Sequence, residues 1–261
     1  MKKTLIVLMA LAGIAAAESL DYHDYATLEP SSSYLTNLYT VWDFDQTAGT
    51  QATKTAGTGG YSNTPKVAYE AGNTEDGYGV INDTMGRLWK NDIGLNDFTI
   101  SMDVNTMTAG HLLTMRASNT EFIYLTSSAD SPLTLTYSGV TGSVESTVRA
   151  TSGDETLDWT TITLVRSANI LTLYVNGESQ GSLTAKSTTF SGLQVGALFG
   201  NGQQGGTSAP AINATVDNMA IWKRALTSAE VAGLVIPEPT TATLSLLALA
   251  GLAARRRRAS R

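Results

Sequence analysis

The sequence predicts an all-β protein built as a two-layer sandwich, and two observations support this fold class. Threonine, a β-branched residue that suits a half-exposed pleated surface, accounts for 37 of the 261 residues. Turn-forming residues recur about every ten positions, a spacing typical of sandwiches. Cysteine is absent, so no disulfide can hold the fold together. The roughly 220 residues between the two ends must therefore bury a core of their own.

The first predicted strands follow an alternation of apolar and polar residues. Residues 98–105 alternate with a period of two, which places four apolar side chains on one face: Phe98, Ile100, Met102 and Val104. Shorter runs predict strands at 121–126 and 133–137. The stretch 50–91 shows no such pattern and is predicted to form long loops.

A pair of hairpins is predicted within residues 158–185. Strands at 162–166 and 170–175 flank a turn at 167–169, which reads Ser-Ala-Asn. Asn176 and Gly177 follow and supply the positive φ angles of a second, two-residue turn.

The last predicted elements are two strands and a short helix. The strands cover residues 193–197 and 215–222. Thr227 and Glu230 have the spacing of a capping box, so a short helix is predicted to begin there.

Four motifs follow one another in a fixed order along this part of the chain. They are Trp159 ahead of the Tyr174-Val175-Asn176-Gly177 hairpin, then Val195-Gly196, then Asp217 and Trp222, and finally Ala225-Leu226 with Glu230. In this order they resemble laminin-G-like, concanavalin A-like jelly rolls, and residues 41–49 are similar to the first strand of that family. The resemblance implies one jelly-roll domain over residues 39–236, preceded by a lead segment at 18–38.

The N-terminal end is predicted to be a secretory signal peptide of residues 1–17. Lys2 and Lys3 precede a short apolar run, and Ala15, Ala16 and Ala17 supply the small residues of a cleavage site. A membrane anchor is the alternative, but the apolar run is too short to span a bilayer.

The C-terminal end, residues 237–261, has three parts in a fixed order. Two prolines flank an acid, a fifteen-residue apolar run follows, and an arginine cluster ends the pattern: Pro237, Glu238 and Pro239, then Arg255, Arg256, Arg257 and Arg258. As a helix the run reaches about 22 Å, against a hydrocarbon core of about 30 Å. This order resembles the PEP-CTERM sorting signal of Gram-negative bacteria. The resemblance implies transient insertion into the inner membrane, processing by an exosortase-type enzyme, and delivery to the cell surface or extracellular matrix. An ordinary C-terminal anchor is the alternative.

The charge distribution excludes one class of partner. All 23 acids lie between Glu18 and Glu238, and seven of the 17 Lys and Arg lie outside that span. The span therefore holds 23 acids against 10 bases, a net charge of −13. A nucleic-acid-binding protein needs a basic face over the phosphates, so this function is not expected.

Two kinds of ligand site are predicted. Loop aromatics could stack on sugars, and the candidates for glycan binding are Tyr61, Tyr78 and Trp89. Calcium is the candidate ion, because many laminin-G-like domains hold it at the rim of the sandwich and it takes oxygen ligands. Its candidate ligands are Asp43 and Asp45 on the first strand together with Asp217 and Asn218 near the rim. His23 and His111 have no ligating or nucleophilic partner and are predicted to be surface residues.

The expected function is a non-enzymatic, exported binding module for glycan or another extracellular polymer. No catalytic residue is predicted, because the Glu-x-Asp-x-Glu strand of the hydrolases that share this fold is missing. A structural envelope or matrix protein without a soluble ligand is one alternative. A glycoside hydrolase of the concanavalin-like fold is another, although fold alone does not confer chemistry.

Overall fold

The computed structural model describes the central part of the chain with several gaps. The described residues are 32–42, 68–70, 78–81, 88–90, 93–118, 120–128, 131–138, 140, 142–150, 159–186, 189–195, 212 and 214–235. Within them the chain forms fourteen β-strands, one 3₁₀ helix (Ser33–Leu35) and one α-helix, α1 (Ser228–Ala232). Neither helix has the length or the apolar run of a membrane span in this described part of the chain.

The strands form two antiparallel sheets, which confirms the predicted sandwich. The eight-stranded sheet contains β1 (Leu38–Trp42), β2 (Ala68–Glu70), β3 (Tyr78–Ile81), β5 (Phe98–Met107), β10 (Thr160–Ser167), β11 (Ile170–Val175), β12 (Glu178–Thr184) and β14 (Ala214–Trp222). The six-stranded sheet contains β4 (Leu88–Lys90), β6 (Gly110–Arg116), β7 (Phe122–Ser128), β8 (Ser131–Tyr137), β9 (Ser143–Arg149) and β13 (Gly192–Val195). The larger sheet runs β12-β11-β10-β5-β14-β3-β2, with β1 also paired to β14, and the smaller runs β4-β13-β6-β7-β8-β9.

Both predicted hairpins are present. β10 pairs with β11, and β11 pairs with β12 through the Asn176-Gly177 turn, where φ is 47° and 76°. Two consecutive residues with positive φ give the twist that a two-residue hairpin needs. The turn before β11 is shorter than predicted, because Ser167 is the last residue of β10 and the turn comprises Ala168 and Asn169.

The prediction of long loops over residues 50–91 is wrong in three places. Strands β2, β3 and β4 lie there, and each has only three or four residues. β2 and β3 extend one edge of the eight-stranded sheet, and β4 forms an edge of the other sheet. Segments this short offer too few positions for a period of two to be visible in the sequence.

The main core fills the space between the two sheets. On β5 the side chains of Phe98, Ile100, Met102 and Val104 are at most 2% exposed, as the alternation predicts. They pack with apolar residues of both sheets in one cluster. The aromatic part of this core includes Phe190, whose ring meets Phe98 edge-on at 6.0 Å between centroids.

A second, smaller core lies on the other side of the eight-stranded sheet. Apolar residues of β1, β10 and β14 pack there against Val231 of α1 and against Leu226 and Leu234, which flank it. Thr227 caps α1 as predicted, since both hydrogen bonds of the capping box with Glu230 are present.

The Arg224 guanidinium links α1 to the segment that precedes β1, and we call its set of hydrogen bonds the clamp. The Arg224 guanidinium donates to both carboxylate oxygens of Glu230, at 3.0 and 2.8 Å, and to the carbonyls of Ser33 and Thr36. The Trp222 indole donates to the Tyr34 carbonyl at 2.7 Å. Residues 32–38, predicted as part of a lead segment, therefore pack directly on the sandwich.

Candidate functional site

A β-bulge in β6 turns His111 to the outer side of the six-stranded sheet, the side shared by Thr114 of β6 and by Phe122 and Tyr124 of β7. The pairing of β6 with β7 shifts between His111 and Leu113, so Leu112 and Leu113 both enter the core. After the shift Thr114 is opposite Tyr124, and before it His111 is opposite Thr126. Bulges commonly re-aim side chains next to functional sites.

Four of these outward residues form a cluster that we call the aromatic patch: His111, Thr114, Phe122 and Tyr124. The Phe122 and Tyr124 rings are stacked, with centroids 5.7 Å apart and planes at 19°. The His111 ring meets Tyr124 edge-on at 5.6 Å and 76°. Tyr124 and His111 are half-buried, whereas Phe122 is 4% exposed although it belongs to neither core.

Two polar atoms of the aromatic patch are buried without a hydrogen-bond partner. They are the Thr114 hydroxyl and His111 Nδ1. Burial lowers the pKa of His111 to about 4, so its ring is neutral at neutral pH. A buried polar group that lacks a partner costs folding free energy.

Two residues of the patch, Thr114 and Tyr124, lie in a row that crosses the six-stranded sheet. In register, Trp89 of β4 is opposite Gln194 of β13, which is opposite Thr114 of β6. Tyr124 of β7 and Thr136 of β8 continue the row. Trp89, predicted as a loop aromatic, is therefore a strand residue in the same row as the patch, and its register position was not foreseen.

The other predicted glycan contacts do not join this row. Tyr78, also predicted as a loop residue, lies in β3 opposite Glu70, in the other sheet. Tyr61 lies outside the described residues. His111 was predicted to be a surface residue and is instead half-buried against Tyr124.

A buried acid, Asp103, lies on the other sheet, in the middle of β5. One of its oxygens accepts from the Thr161 hydroxyl at 2.6 Å and the other from Asn218 Nδ2 at 3.0 Å. The side chain has no solvent exposure, and burial raises its pKa to about 6 despite these two hydrogen bonds. Its register partner is a second acid, Asp217.

The predicted calcium ligands of β14 belong to this buried cluster. Asp217 and Asn218 were expected near the rim, but they lie in the middle of a nine-residue strand and are 7% and 3% exposed. Asn218 Oδ1 has no hydrogen-bond partner. Asp217 Oδ1 accepts from the backbone N–H of Asn218 at 2.7 Å.

The described residues do not complete a calcium site. Calcium takes six to eight oxygens, and no group of three or more His, Cys, Asp or Glu is placed to hold a metal within the described part of the chain. Asp43 and Asp45 lie outside that part. Calcium binding therefore stays a prediction.

The processing signals also lie outside the described residues. These are the signal peptide and the sorting motif with its arginine cluster, from Pro237 to Arg258. The described chain ends at Val235, two residues before that motif.

Sequence reasoning missed three of the four residues of the patch as site residues and misplaced the fourth, His111. A partial signal exists, because Phe122 and Tyr124 alternate with Ile123 and must share the face opposite the core. Their meeting with His111 and Thr114 depends on the strand register, which the sequence does not display.

The two facing sheets and the strand order define the class of this protein as a concanavalin A-like sandwich. The Laminin_G_3 family, described as the concanavalin A-like lectin/glucanases superfamily, matches residues 73–232, and the chain belongs to it. Comparison with curated proteins gives no match.

Solved structures with this fold share little sequence with the chain. One is domain 4 of AbnA, a GH43 extracellular arabinanase from Geobacillus stearothermophilus, in complex with arabinotriose. It is 17% identical with a TM-score of 0.57, over 77% of this chain and 98% of that one. Another is the sialidase of Trypanosoma rangeli in complex with sialic acid, 14% identical with a TM-score of 0.52, over 76% of this chain and 32% of that one. At these identities the likeness is one of fold alone.

Proposed function

We propose that this protein is an exported, non-enzymatic module that binds an extracellular glycan through the aromatic patch. The observation that carries the proposal is the half-buried Tyr124 ring, which is stacked with Phe122 and contacts the His111 ring edge-on. An aromatic face bordered by a few polar groups suits a sugar, whose C–H face packs on the ring while its hydroxyls make hydrogen bonds.

The family and one structural neighbour support a sugar as the ligand. The description of the family names lectins and glucanases, and the structure of the arabinanase domain of similar fold contains arabinotriose. Because folds host many functions, the proposal rests on the patch and takes only the choice of first probes from these relatives.

The placement of the carboxylates supports binding rather than hydrolysis. A glycosidase needs two carboxyl groups that reach the same sugar. Among the described residues, the acids paired across neighbouring strands are Asp103 and Asp217, and Asp103 is shielded from solvent with both oxygens hydrogen-bonded inside the sheet. A hydrolase remains the second candidate because enzyme domains share the fold.

A binding titration tests the proposal. Calorimetry of the full-length chain in mild detergent, with arabinotriose, cellotriose, xylotriose and sialic acid, should detect binding to at least one sugar. Tyr124→Ala should weaken it roughly 5- to 150-fold, since loss of an aromatic–sugar contact of about 1–3 kcal/mol corresponds to that range. Tyr174→Ala is the matched control, because Tyr174 is a half-buried tyrosine of the other sheet.

Three results would contradict the proposal. Equal weakening by both substitutions would mean that a general loss of fold, and not the patch, affects binding. Release of smaller sugars during the titration would favour the hydrolase. Absence of binding to any sugar would favour the remaining alternative, a structural matrix protein.

We further propose that the chain follows the route its two ends encode. The N-terminal signal would export it, and the C-terminal apolar run would hold it briefly in the inner membrane. An exosortase-type enzyme would then cut near Pro237, and the sandwich would reach the cell surface or matrix. An acidic domain with a net charge of −13 between the two ends fits an extracellular polymer as partner better than a nucleic acid.

A further inference from the structure

We propose that the end of the sandwich that carries Trp159, which we call the Trp159 end, rests in the headgroup layer of the bilayer while the C-terminal apolar run is inserted. This inference rests on the membrane step of the proposed function and adds a second interaction surface to it, with phospholipid as the partner. It starts from the position of one exposed tryptophan relative to the point where the described chain leaves the fold.

Trp159 is one of two large apolar side chains that are exposed within the described part of the chain. Trp159 is 40% exposed and Ile170 is 43% exposed. The two side chains mark opposite ends of the sandwich, because Trp159 directly precedes β10 whereas Ile170 pairs with Ser167, the last residue of β10. The eight residues of β10 separate these ends by about 26 Å, at about 3.3 Å per residue.

The described chain leaves the fold at the Trp159 end. The Asn176 side chain accepts from the Thr161 backbone N–H at 2.9 Å, so the turn between β11 and β12 lies beside the start of β10. Val235 packs on the same turn, since a Cβ at Gly177 would be 3.1 Å from Val235 Cγ2. Trp159 precedes Thr161 by two residues, or about 7 Å of strand. Val235 and Trp159 therefore lie near one turn.

A short connection keeps this end close to the membrane once the apolar run is inserted. Only residues 236–239 separate Val235 from the run, which begins at Thr240. Fully extended, this connection spans at most about 18 Å. The turn and the tryptophan beside it must therefore stay near the bilayer surface, whereas the Ile170 end is free to lie farther away.

The side chains of the Trp159 end suit the headgroup layer. Tryptophan is enriched where hydrocarbon meets water, because its ring is largely apolar and its N–H can meet polar groups. Glu178, an exposed acid that follows the turn, keeps this end out of the hydrocarbon itself. With one end of β10 and β11 toward the bilayer, the outer faces of both sheets, including the aromatic patch, stay clear of lipid.

The test measures tryptophan fluorescence of the full-length chain in phosphatidylcholine vesicles, made with ordinary lipid or with lipid brominated in the upper part of the acyl chains. Bromine quenches only the indoles that come close to it, and flotation of the vesicles shows separately that the chain is bound. Trp159→Phe removes the indole in question, while Trp42 and Trp222 stay buried in the two cores. The matched control adds Ile170→Trp to Trp159→Phe, which moves the exposed indole to the opposite end.

We expect brominated lipid to quench the wild type and Trp159→Phe to lose most of this quenching. The double variant should be quenched no more than Trp159→Phe, because its new indole points away from the bilayer. All three chains should float with the vesicles, since the apolar run is the same in each.

The inference is overturned if the wild type is quenched no more than Trp159→Phe, or if the double variant regains the quenching, since the sandwich would then meet lipid elsewhere or through its other end. Either result leaves glycan binding untouched, and it leaves insertion of the apolar run standing as long as the chain floats. A full-length chain that does not float with the vesicles would overturn this inference together with the membrane step.

Discussion

Asp103 shows at the scale of one residue how this sheet accommodates a buried acid. The carboxyl lies between β10 and β14 without solvent contact, and burial raises its pKa to about 6. An acid whose pKa is higher in the folded than in the unfolded chain binds more protons when folded. Its contribution to stability is therefore complete below about pH 4 and declines as the pH rises to about 6.

We expect Asp103→Asn to stabilise the fold at pH 7.5 by about 1–3 kcal/mol, because a neutral amide carries no desolvation penalty for charge. The new amide can donate to Asn218 Oδ1, which is unpaired in the wild type, once the Asn218 amide turns. Urea unfolding in EDTA at pH 4 and 7.5 measures the effect. A variant that is less stable than the wild type at pH 7.5 would show that the charge is needed.

His111 has the opposite effect on the pH dependence of stability, so the contributions of His111 and Asp103 partly cancel. Burial lowers its pKa from 6.5 to about 4, so the unfolded chain binds more protons in this range and stability falls as the pH drops from 6.5 to 4. In the same range the Asp103 contribution increases. The pH dependence of each residue therefore becomes visible only when the other is substituted.

At the scale of elements, the end of α1 packs closely against the turn between β11 and β12. Gly177 has φ of 76°, and a Cβ at this position would be 2.9 Å from the Ala232 Cα and 3.1 Å from Val235 Cγ2. The glycine is thus required both by its backbone conformation and by the close approach of α1.

Gly177→Val should destabilise the protein by more than about 1 kcal/mol, since strain at such a site has this order. Gly94→Val is the matched control, because Gly94 also has positive φ, 61°, but has no atom within 4 Å of its Cβ position. Thermal unfolding of both variants separates the cost of the positive φ, which both share, from the cost of the contact with α1, which only Gly177→Val makes. Equal midpoints would mean that α1 does not press on the turn.

The clamp between α1 and the first described segment is the second element-scale feature. Glu230 accepts from Arg224, Ser33 and Thr227, and the Arg224 hydrogen bonds are the main reason why its pKa falls to about 2. Its charge therefore stabilises the fold above about pH 4.5, and this contribution is lost as the pH falls through 2.

Glu230→Ala should cost about 1–3 kcal/mol at pH 7, because it leaves Arg224 partly buried without its charged partner and removes half of the capping box. Glu178→Ala, at an exposed position of β12, is the control and should change stability by less than about 0.5 kcal/mol. Chemical unfolding measures both variants. If the two losses are alike, the clamp contributes nothing beyond a surface charge.

The strands differ in how far the sequence could predict them, and the reason is physical. β5 and β11 alternate regularly, so their inward faces were predicted, and the two turns that flank β11 were predicted from their residue types. β6 was missed because its bulge places Leu112 and Leu113 in the core in succession, which breaks the alternation. β9 alternates, but one of its three inward residues is Ser146, which weakens the apolar signal.

The sites were harder to predict than the strands because they depend on contacts between distant residues. Asp103 and Asn218 are 115 residues apart in sequence yet share a hydrogen bond. The aromatic patch arises from the register of β6 on β7, and a shift by one residue would turn Tyr124 into the core. Residue type alone therefore pointed to Tyr61, Tyr78 and Trp89.

At the scale of the whole molecule, the proposed processing would remove the C-terminal end without touching the sandwich. The described fold ends at Val235, and the proline-flanked motif begins at Pro237, so a cut near the motif would leave the clamp and both cores intact. We therefore expect the surface form to lack residues 244–261.

Mass spectrometry of surface-extracted protein measures this directly. Replacing Pro237, Glu238 and Pro239 with alanine should leave the uncut precursor in the inner membrane. The unaltered chain, processed in parallel, is the control. Recovery of the intact Arg255–Arg258 cluster outside the cell would identify the segment as an ordinary anchor or as no sorting signal.

Amide chemical-shift mapping with the best-binding neutral trisaccharide shows whether a glycan binds on the outer side of the six-stranded sheet. We expect saturable shifts that centre on β6 and β7, at His111, Thr114, Phe122 and Tyr124, with little change around Asp103 and Tyr174 on the other sheet. Shifts that centre instead on the eight-stranded sheet, or none at saturating sugar, would contradict it.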